Sequence, residues 1–148
     1  MMHIVGVIYL LIQNLGFLLC VNLLLTGSAY LFLFKVRKLI GFQLGMNISN
    51  LAGGFFAIVT GIILIYQFPL HFVSITMITT VIGMVVGALF GGLFDYQTLL
   101  TGMINGLMMG VMAPMVGAAS QNNLLFLVFI ELIFICSLFL LLFSAKRT

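Results

Sequence analysis

No charged side chain precedes Lys35, and between Lys38 and Lys146 the chain carries only two, Asp95 and Glu131. Uncharged runs of this length constrain the fold more than any motif does. A helix crossing the hydrocarbon core of a bilayer needs about 20 mostly apolar residues. Within lipid, each backbone N–H and C=O must be satisfied inside the segment itself, which favours helices. Five stretches meet the length requirement: Ile4 to Phe34, Leu39 to Phe68, Phe72 to Phe94, Thr98 to Ala118 and Leu124 to Phe143. The expectation is an all-α integral membrane protein, one transmembrane domain over residues 1–148 built as a bundle of about five helices. The first stretch exceeds one crossing, so it is expected to tilt or to loosen near Thr26-Gly27-Ser28.

Composition removes the other classes. Charged residues make up 5% of the 148 positions and hydrophobic ones 64%, whereas soluble domains carry roughly 25% charge. Five cations against two anions give a basic isoelectric point, but scattered cations cannot track a phosphate backbone, so nucleic acid is not expected as a partner. No Walker A, HExxH, GxSxG or CxxC pattern occurs, and neither enzymatic activity nor a cofactor is expected. The leader Met1-Met2-His3 lacks Lys and Arg and precedes a run longer than a signal-peptide core, so cleavage is not expected.

The five basic residues sit in two places: Lys35, Arg37 and Lys38 after the first stretch, and Lys146 and Arg147 near the carboxyl end. The positive-inside rule places both groups in the cytoplasm. Five crossings satisfy this with the amino terminus outside, as a multi-pass protein of the cell membrane.

A pattern beginning with Gly-Met recurs. Gly83-Met84 is followed by Gly87 and Gly91, and Gly102-Met103 by Gly106 and Gly110; a weaker copy pairs Gly45-Met46 with Ser49 and Gly53. Small residues four apart share a helix face and let two backbones approach. Glycine-zipper packing of the third and fourth stretches is expected, folded into a hairpin by the short turn Asp95-Tyr96-Gln97. A zipper face left over would suit another subunit.

On a helical wheel, Met108, Met112 and Met115 lie opposite the glycines of the fourth stretch, with Thr101 and Asn105 nearby. Thioethers suit Cu(I), so these three are candidate metal ligands; the plainer reading is flexible filler at adaptable or lipid-facing positions. Cys20 and Cys136 fall inside apolar stretches and read as small hydrophobes, and His3 and His71 as interfacial polar residues.

Glu131 stands alone. It lies in the most uniformly apolar stretch, where an ionised carboxylate costs about 2.5–3.5 kcal/mol on insertion scales. It should be protonated, paired or in contact with water. At 1.5 Å per residue it sits roughly 10–12 Å from the outer end. Similar counting places Gln13, Asn14, Thr60, Thr79 and Thr80 in the same layer, with Asn22 and Asn50 in a second layer nearer the cytoplasm. The candidate proton or ion site is therefore Glu131 with Asn14, Gln13, Thr60 and Thr80.

Two functions fit. One is a small transporter or channel subunit for a proton, cation or small solute, acting as a homo-oligomer because five short crossings rarely enclose a path. The other is a non-transporting accessory subunit docked on a larger membrane-protein partner. Cu(I) handling through the methionines is a third, minor reading.

Overall fold

The computed structural model describes residues 1–147, with side-chain environments for all of these except residues 7, 8, 11 and 12. Five helices follow one another: α1 (Met2–Val36), α2 (Phe42–Gln67), α3 (Phe72–Gly91), α4 (Tyr96–Ala119) and α5 (Leu124–Arg147), with a 3₁₀ turn at Arg37–Leu39 between the first two. All five are long and apolar enough to cross a membrane, and no strand occurs among the described residues. The chain is accordingly a multi-pass helical membrane protein.

The ends of the helices follow local chemistry. At Pro69 the chain turns from α2 into α3, since proline restrains the residue before it from helical geometry. Asn123 opens α5 by accepting the Leu125 N–H on Oδ1 at 2.9 Å, which satisfies one of the donors a helix start leaves unpaired. In the preceding turn Gln121 and Asn122 adopt φ of 53° and 59°, a left-handed conformation that asparagine tolerates better than most residues. Lys35 occupies the last turn of α1, and Lys146 and Arg147 that of α5, where cations meet the negative end of the helix dipole.

Helix α2 is the axis of the bundle: over an apolar 18-residue stretch of it 72% is buried, against 22–28% in the corresponding stretches of the other four. α3 and α4 form an antiparallel hairpin pressed along one side of α2, and α1 and α5 pack on α2 and on each other. The α2–α3–α4 unit is held at backbone distance. A Cβ placed on Gly53 would lie 2.7 Å from Gly87 Cα, and one on Gly110 2.6 Å from the Thr79 carbonyl oxygen. Cβ atoms on Gly83, Gly87, Gly102 or Gly106 would run into the facing backbone more closely still, Gly83 against Gly106 and Gly87 against Gly102. Large side chains point the other way: Val81, Val85 and Leu89 of α3 and Ile104, Met108 and Met112 of α4 are exposed on the outer surface. Small residues inside and bulky ones outside suit a solvent of lipid tails, in which close van der Waals packing, not apolar burial, drives helix association.

Hydroxyls stitch the tight unit together. Ser49 Oγ lies 3.0 Å from the Gly87 carbonyl and 3.2 Å from that of Thr98, so its one proton has an acceptor on α3 and another on α4. Pro114 lies within α4 and has no N–H to give the Gly110 carbonyl one turn back. Thr79 of α3 reaches that carbonyl at 2.8 Å. Its hydroxyl also lies near the Ile75 and Thr76 carbonyls of its own helix, but a hydroxyl has one proton to donate. The Gly110 oxygen, deprived of its helical donor, gains most from receiving it.

Leu33, Ile48, Phe90, Leu93, Leu141 and Ala145 share one buried cluster. That cluster brings together the ends of α1, α3 and α5 and the start of α2. The five cations and Asp95 therefore gather at one end of the bundle.

Candidate functional site

Asn22 and Glu131 meet across the seam between α1 and α5. Asn22 donates from Nδ2 to Glu131 Oε1 at 2.8 Å, and both residues are buried, at 2% and 8% exposure. Leu127 and Phe134, each one turn from Glu131 on α5, are buried beside it. Thr26 Oγ1 donates to the Asn22 carbonyl at 2.8 Å, adding a third polar group to the same stretch of α1. Lys146 is about 22 Å further along α5 at 1.5 Å per residue, out of reach of the carboxyl. The amide thus supplies what a cation would otherwise supply. An amide N–H can donate to a carboxyl oxygen whether the acid is neutral or ionised, so the pair persists through a change of protonation.

The site opens outward. A cleft of about 510 Å³ between α1 and α5 is lined by Asn14, Leu18, Leu127, Val128, Glu131 and Leu132, among others. Its wall is almost wholly hydrocarbon, with the carboxyl and the Asn14 amide as the polar features.

Of the residues grouped with Glu131 by depth, the fold brings Asn14 to this cleft and disperses the others. Gln13 is exposed on α1. Thr60 is buried on α2 and lines a separate pocket with Thr26, Tyr30 and Phe90. Thr80 donates to the Thr76 carbonyl of its own helix at 2.6 Å. Thr79 bonds across to α4, as described. Asn22, assigned by counting to a deeper layer, is the actual partner. Asn50, assigned with it, is instead tied to α4, its carbonyl accepting from Asn105 Nδ2 at 2.8 Å.

The cause of the Asn22 displacement is the length of α1. Its 35 residues would extend about 52 Å, and counting from Ile4 takes the wrong origin. All described residues up to Asn14 are exposed, and Leu15 is the first buried one. The first fourteen residues project past the level at which α5 begins. Counted from Leu15, Asn22 falls at the depth of Glu131.

Met108, Met112 and Met115 are each more than half exposed on the outer face of α4. Cys20 and Cys136, also exposed, lie on α1 and α5, which pack on α2 and on each other. Among the described residues no group of three His, Cys, Asp or Glu is placed to hold a metal ion. Asn105, beside the methionines on a helical wheel, turns back to α2, where its amide meets Asn50 and Gly54. His3, at the start of α1, and His71, which precedes α3, are exposed.

No family model, curated protein or solved structure matches this chain.

Proposed function

We propose that the chain is a subunit of a small membrane transporter or channel for a proton, cation or small solute, working as a homo-oligomer with Glu131 as the group that changes protonation. The observation that carries this reading is the Glu131–Asn22 pair at the edge of an open cleft. Ionisable groups at membrane depth are costly and mark ion or proton pathways by default. A carboxyl held by an amide, with no cation to neutralise it permanently, is suited to taking up and releasing a positive charge.

The α2–α3–α4 unit is too closely packed to leave a path, and its glycine-zipper faces are used within the monomer. A pathway would therefore run along the α1/α5 seam and be completed by a second copy. The projecting start of α1 and the outer wall of the cleft are the surfaces such a copy would cover. By the positive-inside rule the basic end faces the cytoplasm and Met1 the outside of the cell membrane.

Purified protein in liposomes, with an imposed potential and an internal pH dye, tests the proposal. Wild type should conduct protons or exchange them for a cation, and Glu131→Gln, which keeps a hydrogen-bonding group of the same size, should abolish the flux while leaving the protein monodisperse. Undiminished flux in Glu131→Gln removes proton coupling.

The second reading, an accessory subunit, draws on the same cleft: a polar pair beside an apolar groove also suits a partner helix carrying one polar side chain. A defined homo-oligomer on extraction supports the transporter, and a monomer that co-purifies with another membrane protein supports the accessory role.

A further inference from the structure

At the basic end of the bundle a second cleft, of about 630 Å³, lies between the start of α2 and the end of α5. Its floor is hydrocarbon, from Leu44, Leu51, Leu140 and Phe143. Toward the basic end its lining carries three polar side chains of a different kind: the Arg147 guanidinium, the Asn47 amide and the Ser144 hydroxyl. A guanidinium offers five N–H donors in a planar fork matched to phosphate oxygens. An exposed amide on the facing helix adds donors from the other wall. The apolar part of the cleft extends from this polar rim toward the middle of the membrane.

We propose that this cleft is a binding site for an anionic phospholipid, its phosphate held by Arg147 and Asn47 and one acyl chain laid along the α2/α5 groove. Two features select this occupant over a partner helix or a zwitterionic lipid. The first is charge: all five cations of the protein are gathered at this end, with Asp95 the one acid there, so the surrounding potential is positive. Basic pockets between transmembrane helices favour anionic headgroups in just this setting. The second is layout. Arg147 and Ser144 lie in the last turn of α5 and Asn47 in the second turn of α2, with Leu51 and Leu140 a turn further in; donors toward the basic end and hydrocarbon beyond them follow the order of groups along a lipid and not along an apolar helix. The site is separate from Glu131, which lies in the α1/α5 cleft.

The test is retention of lipid by the purified full-length protein, read by native mass spectrometry after addition of phosphatidylglycerol or phosphatidylcholine with identical acyl chains. Phosphatidylglycerol should be retained preferentially at one molecule per chain. Arg147→Gln should lower that retention by about fivefold, the effect of about 1 kcal/mol per basic residue near the surface. Lys35→Gln makes the same change in net charge on α1 and should leave retention within a factor of two. Leu51→Trp, which fills the groove while sparing Arg147, should also expel the lipid. Glycerol phosphate, the headgroup without chains, should not compete. Equal retention of the two lipids, equal loss with Lys35→Gln and Arg147→Gln, or competition by glycerol phosphate would each overturn the proposal. Monodispersity and helical circular dichroism of every variant separate loss of the site from loss of the fold.

Discussion

Asn22 illustrates how much one side chain can carry in a membrane interior. With it, the Glu131 carboxyl has a buried donor; without it, a polar group faces hydrocarbon. Leaving a buried group unsatisfied costs about 1–3 kcal/mol. Asn22→Leu should therefore lower the unfolding free energy in detergent by that amount, and Glu131→Leu in the same background should recover most of the loss, because the orphaned group is then gone. A double variant no more stable than Asn22→Leu would show that the pair is not the source of the effect. Thr79 and the Gly110 carbonyl that Pro114 leaves without a helical donor make a second such pair across α3 and α4. Thr79→Val should cost about 1 kcal/mol, and less in a Pro114→Ala background, where a restored amide N–H can bond the Gly110 carbonyl. The double-mutant cycle measures the difference, and strict additivity would deny the compensation.

At the level of helices, glycine has opposite meanings in different places. Gly106 faces Gly83 with no room for a methyl group, whereas Gly27 has nothing within 4 Å of where its Cβ would be. Gly106→Ala should destabilise by about 1–3 kcal/mol through forced separation of α3 and α4. Gly27→Ala, in an open helical position, should be neutral or slightly stabilising. Thermal unfolding of the two variants side by side checks this, and equal losses would mean that the α3/α4 contact is not what the glycines serve. The recurring Gly-Met pattern is the reason to expect such a contact from sequence, because a period of four on a helix leaves one face bare. Pro114 was legible as a residue but not its remedy: nothing in the sequence of α4 says that a threonine on another helix will cap the freed carbonyl.

For the whole molecule, the ends are distinguished by charge. The clustering of α1, α3 and α5 around Leu33, Leu93 and Leu141 puts the cations on one side, and the orientation proposed from them predicts opposite fates for two reporters. A fusion at Gln121 should report the outside and one after Arg147 the cytoplasm; matching signals would exclude the five-crossing topology. The bundle divides into a tight α2–α3–α4 body and a looser α1/α5 flank, and the clefts that hold Glu131 and Arg147 both lie beside α5. Function is proposed for the flank because Glu131 lies there, on the wall of an open cleft.

The sequence by itself determined the class and the number of long apolar helices, because uncharged apolar runs of about 20 residues suit a bilayer and not a soluble core; it did not determine their limits, since α5 runs on through Lys146 and Arg147 and Pro114 lies inside α4. It also raised two expectations, that the glycine-spaced faces approach one another and that Glu131 takes a partner. It did not determine which partner. Depth along a helix can be counted, but the origin of the count and the rotation about the axis cannot: α1 projects fourteen residues beyond the bundle, and Thr60 stands at a similar depth in a different pocket. Both are set by how the helices pack against one another, and so only the tertiary structure decided that Asn22, and not Gln13 or Thr80, meets the carboxyl.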